Sequence, residues 1–195
     1  MGFTDQFTAT YRWRTLEDGG NGLEHLHVNS CENNIIASSC VIGARDASHY
    51  GIHYTIICSP DWAVRSFSIE NTDGKSLSMN ADGEGNWFNQ DGSPAPRFAG
   101  AIDIDLSGTP FTNSLPIRRM ANCTPGNSRR FKMLYIPFDT LQPAIDKQQY
   151  SCIIPYRKYR YEALGRDFTA DLEVDDNAVV FDYPQSFTRE NFTTE

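Results

Sequence analysis

The densest chemistry in the chain lies between Ile102 and Arg119. Asp103 and Asp105 alternate there with Ile102, Ile104 and Leu106, which puts both carboxylates on one face of a strand. Two acids so placed can act as general acid and base, or accept hydrogen bonds from sugar hydroxyls. Thr109-Pro110 follows with the form of a helix start: a capping hydroxyl, then proline at the first helical position. Asn113 adds an amide, and Pro116 is expected to end or kink the helix. Arg118 and Arg119 close the block with guanidinium groups that can fork onto carboxylates or phosphates. A buried charge must be paired to be tolerated. The plain expectation is therefore that Asp103 and Asp105 pair with Arg118 and Arg119 and fix the helix in place; contact with a ligand comes next, and catalysis last.

Other reactive types are more scattered. His25 and His27 alternate on a strand and share a face, and Glu24 or His53 could complete a metal site. No third ligand is fixed by the spacing, so no metal is expected. Trp13, Trp62 and Trp87 are either core or the walls of a cavity. Arg157, Lys158, Tyr159, Arg160 and Tyr161 mix basic and aromatic side chains, as single-stranded nucleic-acid binders do. With 17 Lys and Arg against 25 Asp and Glu, a net charge of −8, that cluster reads instead as a solvated strand edge, and no nucleic-acid partner is expected. There is no Gly-x-Ser-x-Gly, no phosphate loop and no His-Glu-x-x-His. No catalytic residue and no cofactor is assigned.

The elements that must position these groups are almost all strands. Phe7, Ala9, Tyr11 and Trp13 alternate with polar residues, and Gly19-Gly20-Asn21-Gly22 breaks the chain after them. Leu23 to Val28, Ile35 to Ile42, Ile52 to Cys58 and Trp62 to Glu70 read as further strands. Asp73-Gly74, Asp82-Gly83 and Asp91-Gly92 mark regular turns in a meander. Phe168 to Val174 and Val179 to Tyr183 read as a hairpin turning at Asp176-Asn177. Helix signals are confined to the Thr109 block and a weaker stretch from Asp139 to Lys147, interrupted by Pro143. The 195 residues show no linker or charge run, so residues 1–195 are taken as one domain. Cys31, Cys40, Cys58, Cys123 and Cys152 are odd in number and lack a Cys-x-x-Cys, which predicts reduced thiols. No apolar run reaches membrane-spanning length, and residues 1–10 lack the features of a signal peptide. A cytoplasmic protein is expected.

Several pieces carry a family resemblance across nearly the whole chain. They are Leu23-Glu24-His25-Leu26, Asp61-Trp62-Ala63-Val64-Arg65, Asp82-Gly83-Glu84-Gly85-Asn86-Trp87, the Ile102 to Arg119 block, Tyr159-Arg160-Tyr161-Glu162, and Val179 to Pro184. With these the chain resembles the glycolipid-binding proteins that adopt a spiral β-roll. The resemblance implies a mainly β, single-domain fold, a long antiparallel sheet wrapped around one short α-helix. It also implies likeness to lipoprotein carriers and a homodimer. Physics agrees with a carrier: each buried acyl methylene contributes about 0.8 kcal/mol. The leading expectation is a non-catalytic binder of a lipid or glycolipid-like amphiphile, its acyl part in an apolar interior opening near Arg118 and Arg119. Asp103, Asp105, Thr109, Asn113, Arg118, Arg119, Trp62, Trp87 and Tyr161 are the ligand-binding candidates. The alternative is an enzyme acting on a small acyl- or sugar-containing substrate through Asp103 or Asp105.

Overall fold

Alternating apolar residues, punctuated by turns, give strands that pair mainly with their sequence neighbours. The computed structural model describes residues 2–16, 21–31, 33–45 and 48–190. Among these residues, eight strands form one antiparallel sheet in the order β13-β1-β2-β3-β4-β5-β6-β7. They are β1 (Thr8–Thr15), β2 (Leu23–Cys31), β3 (Asn34–Arg45), β4 (Ser48–Cys58), β5 (Val64–Asn71), β6 (Ser76–Ala81), β7 (Trp87–Asn89) and β13 (Phe187–Arg189). Five more form a second sheet in the order β12-β11-β10-β9-β8. These are β8 (Asp103–Leu106), β9 (Ser128–Ile136), β10 (Ala144–Ile154), β11 (Lys158–Ala163) and β12 (Phe168–Glu173). β8 is the exception to antiparallel pairing: it runs parallel to β9, with Asp103 opposite Met133 and Leu106 opposite Ile136. The fold is thus mainly β with one short helix, as expected. The Gly19-Gly20 part of the predicted break lies outside the described residues.

The helix occupies the place where the two sheets' cores meet. A 3-10 turn at Phe111–Asn113 leads into α1 (Ser114–Arg118). Phe111 and Leu115 join the core of the large sheet, among Trp13, Leu26, Tyr54 and Phe138. Ile117 and Met120 join the core of the smaller one, among Met133, Tyr150 and Leu172. Short as it is, the helix is held by both sheets, because five residues of helix do not persist in water. The inner face of the large sheet is filled by bulky side chains: Trp13, Leu26, Tyr54 and Leu115 are fully buried.

Four expectations need correction. Pro116 does not end the helix; it lies in the first turn of α1, where no intrahelical donor is required. Asp139 to Lys147 is not helical, because Ala144 already begins β10. The hairpin after Val174 shrinks to a single bridge, Val174 to Val180. Two backbone hydrogen bonds flank it, Phe181 N–H to Glu173 O at 2.8 Å and Asp175 N–H to Val179 O at 3.0 Å, and side chains add to them: Trp13 Nε1 donates to Val180 O and Phe181 O at 3.2 and 3.1 Å, and Arg189 donates to Val179 O and Val180 O at 2.7 and 2.6 Å. Finally, the cysteines are not all reduced. Cys123 and Cys152 form a disulfide, leaving Cys31, Cys40 and Cys58 free. The sheet brings together residues 29 positions apart, a relation that sequence spacing hides.

Candidate functional site

β8 carries the two acids, but its surroundings send them to different partners. Asp103 is buried and takes two hydrogen bonds from Arg119, Nε to Oδ2 and Nη2 to Oδ1, each 2.7 Å. Burial pushes its carboxyl up while the guanidinium pulls it back. Asp105 meets no arginine at that range. Gln148 Nε2, from β10, donates to its Oδ2 at 2.6 Å, and Thr112 Oγ1 donates to its Oδ1 at 3.2 Å. Burial is again the main cause that raises the Asp105 carboxyl, with Asp146 adding to it. Thr112 Oγ1 also accepts the Leu106 N–H at 3.2 Å, so one hydroxyl ties the strand end to the helix start.

The helix start supplies two further polar groups. Thr109 Oγ1 accepts the Phe111 N–H at 3.1 Å, the capping role that its sequence position predicts. Asn113 Nδ2 donates to Pro110 O at 3.1 Å, and its Oδ1 accepts the buried Tyr150 hydroxyl at 2.8 Å. Asp105, Thr109, Asn113 and Tyr161 line one cavity of about 260 Å³. Both sheets contribute to its wall, with Thr15, Arg45 and Tyr50 from one side and Tyr135, Tyr161 and Phe168 from the other. Arg166, Tyr183, Ser186 and Phe187 also line it. Arg45 Nη1 donates to Tyr135 Oη at 2.8 Å, and Arg166 Nη2 donates to Asp146 Oδ2 at 3.2 Å.

Behind this wall lies a third acid. Glu24 alternates with Leu26 and Val28 on the buried face of β2. Its Oε1 accepts from Ser39 Oγ at 2.8 Å and from Tyr54 Oη at 2.6 Å, while Oε2 has no hydrogen-bond partner. Burial pushes its carboxyl up to about 7, against the opposing hydrogen bonds of Tyr54 and Ser39. Tyr54 Oη also lies 3.5 Å from Thr109 Oγ1.

The remaining candidates lie elsewhere. Arg118 stacks on the Trp62 ring at 3.7 Å and donates to Thr4 O and Asn177 O at 3.0 and 2.8 Å. Desolvation lowers its guanidinium to about 10. Trp62 itself has φ 66°, a left-handed conformation that bulky residues rarely adopt. Trp87 is core: its Nε1 donates to Ala101 O at 2.7 Å and Phe67 packs edge-on against it. The pairing of both aspartates with both arginines is therefore corrected to one pair, Asp103 with Arg119. His25 and His27 point away from Glu24, since β2 alternates; Arg12 Nε donates to His25 Nδ1 at 3.0 Å. Among the described residues no three or more His, Cys, Asp or Glu side chains gather around a possible metal position. Arg45 and Arg166 escaped the sequence reading as cavity-lining residues, and Glu24 entered it only as a possible partner of His25 and His27 in a metal site. For Glu24 a signal existed: a carboxylate in the apolar phase of a strand.

No helix among the described residues is long and apolar enough to cross a membrane. The model of a family described as "Putative glycolipid-binding" matches residues 10–189. A crystal structure of a DUF1089 family protein from Pseudomonas aeruginosa is 32% identical, with a TM-score of 0.74, over 86% of this chain and 92% of that one. No curated protein matches the chain.

Proposed function

The chain belongs to the glycolipid-binding family that matches its residues 10–189, and from that premise we propose that it binds an amphiphile by its polar head in the cavity between the sheets. The observation that carries this reading is the make-up of the wall. Carboxyl, amide, hydroxyl and guanidinium groups alternate with Tyr50, Tyr161, Phe168 and Phe187. Sugar rings are held in this way, their hydroxyls by polar side chains and their C–H faces by aromatic rings. Asp105 is placed to accept from a hydroxyl, Thr109 and Asn113 flank it, and Tyr161 offers a ring face.

An acyl tail has a different seat from the one first expected. The large sheet's interior is filled by its own side chains, so the tail runs outside. Leu16, Ile42, Leu164 and Phe181 are among the exposed large apolar residues, and each is within two positions of a cavity-lining residue. Each offers apolar surface on which methylenes can be partly buried.

Native mass spectrometry of the gently purified protein, then of the protein offered a mixture of glycolipids and phospholipids, tests this. Selective uptake of a sugar-headed lipid is expected, and Asp105→Ala should weaken it about tenfold or more, since a hydrogen bond to a charged group contributes ~1.5–3 kcal/mol. Absence of uptake, or uptake indifferent to Asp105, overturns the reading. One observation favours a second reading: burial raises the Asp105 carboxyl, as in an acid that donates a proton. Turnover of a nitrophenyl glycoside or ester that is lost in Asp105→Asn would establish it.

A further inference from the structure

The C-terminal end of α1 opens on a second cleft, which the head-group reading leaves unused. Its volume is about 380 Å³, and Arg118, Arg119, Asn122, Asn127, Ser128 and Arg129 supply its polar wall. The chain as a whole carries 25 acidic residues against 17 basic ones. Three arginines nevertheless line this cleft and, among the described residues, no Asp or Glu does. A concave patch of one sign focuses the field and raises the local concentration of the opposite charge.

The three guanidinium groups differ in what they have left to give. Arg119 directs Nε and Nη2 to Asp103, so its charge is matched, but Nη1 has no partner among the described residues. Arg118 donates through Nη2 to two carbonyls, Thr4 O and Asn177 O, and its Nε is buried without a hydrogen-bond partner. Arg129 is exposed, lies over the Phe131 ring and donates to Arg119 O at 3.4 Å. Among the described residues neither Arg118 nor Arg129 forms an ion pair. Asp5 and Asp175 act on Arg118 only at a distance, and Asp175 is itself paired with Arg189.

The two amides have their oxygens engaged. Asn127 Oδ1 accepts the Thr124 N–H at 3.0 Å and the Thr124 hydroxyl at 2.8 Å, and Asn122 Oδ1 accepts the Tyr156 hydroxyl at 3.3 Å. Their NH2 ends are what remains to donate. The loop that carries them is tied to β10. Cys123 is bonded to Cys152, Gly126 N–H donates to Cys152 O at 2.9 Å, and Cys152 N–H donates to Asn127 O at 2.8 Å. Donors held in this way lose little freedom when a ligand arrives.

We propose that this cleft binds a phosphate monoester, at a site separate from the cavity between the sheets. Such a group carries nearly two negative charges and three strong acceptor oxygens. The charge answers Arg118 and Arg129, and the oxygens can accept from Arg129, from Nη1 of Arg119 and from the two amides. A carboxylate would bring one charge, and a neutral sugar none.

Inorganic phosphate and phenyl phosphate are the soluble probes, followed by NMR of the arginine Nε–H and asparagine NH2 signals. Saturable shifts are expected at Arg129, Asn122 and Asn127, and sodium chloride at the same ionic strength should not reproduce them. Arg129→Ala should weaken phosphate binding about tenfold, as loss of a charge-assisted hydrogen bond does. Asn127→Asp keeps the oxygen that holds Thr124 and replaces the NH2 by a second, charged oxygen. The turn should therefore persist while phosphate binding falls at least as far. Shifts that chloride reproduces, or phosphate affinity that survives in both variants, overturn the proposal. Phosphatidylcholine vesicles with and without phosphatidic acid then distinguish the source. Capture by the phosphatidic acid vesicles alone, lost in Arg129→Ala, supports the site with a lipid head as its ligand. Binding of the soluble probes without vesicle capture supports it with a free phosphate ester. Uptake of a sugar-headed lipid should be the same in Arg129→Ala and the unaltered protein, so the two sites stand or fall separately.

Discussion

Asp103 exposes 2% of its side chain and Arg119 16%, with both carboxylate oxygens 2.7 Å from the guanidinium. Such a pair returns little net stability over an apolar one, but halving it strands a charge. Arg119→Ala should therefore cost about 3–5 kcal/mol in urea unfolding, while an exposed pair such as Arg160 with Asp171 should cost under about 1. Glu24 adds a pH dependence of definite sign. Its folded value of about 7 lies above its ordinary 4.5, so the folded chain keeps a proton that the unfolded chain releases. The stability tied to that proton is fully present below 4.5 and is lost as pH rises through 7. At ~1.4 kcal/mol per unit the loss is about 3 kcal/mol by pH 8. Glu24→Gln removes it, so the variant should gain about that much relative to the unaltered protein between pH 4.5 and 8, read from paired urea midpoints.

At the scale of elements, the β8-loop-α1 passage does the positioning. Gly108 makes it possible: a Cβ there would run into the Phe138 ring and crowd the Tyr50 hydroxyl. Gly108→Ala should cost about 1–3 kcal/mol by overpacking, and calorimetry should show a lowered Tm together with weakened ligand uptake, because Tyr50 lines the cavity. Much of this passage was legible in the sequence. Thr109 caps, the acids alternate on β8, and the strands follow the two-residue period. What was not legible is which partner each acid finds. Arg119 reaches Asp103 because the helix places it there, but Gln148 reaches Asp105 from β10, and no local pattern announces that. The bridge at Val180 was misread as a strand for a similar reason. Val179 and Val180 are buried in succession, and beyond the two backbone hydrogen bonds that flank the bridge the carbonyls of Val180 and Phe181 accept from the side chains of Trp13 and Arg189. The four candidates that share a cavity were separable from Arg118 and Trp87 only once the sheets were closed.

For the molecule as a whole, the disulfide removes the cysteine pattern as an argument about compartment. Denatured without reductant, the protein should titrate three thiols, and five after reduction. Reduction should cost about 3–4 kcal/mol from the loop of 29 residues that the bridge closes. The order of the large sheet has a consequence for how the chain comes to be folded. β13 pairs with β1, Arg189 opposite Trp13, although nearly the whole described chain separates them. During synthesis, β1 to β7 can meander into place as they emerge, whereas the seam along β1 stays open until residues 187–189 leave the ribosome. Until then Trp13 lacks the carbonyls of Val180 and Phe181, and the strand edge beside it can be captured by another nascent chain.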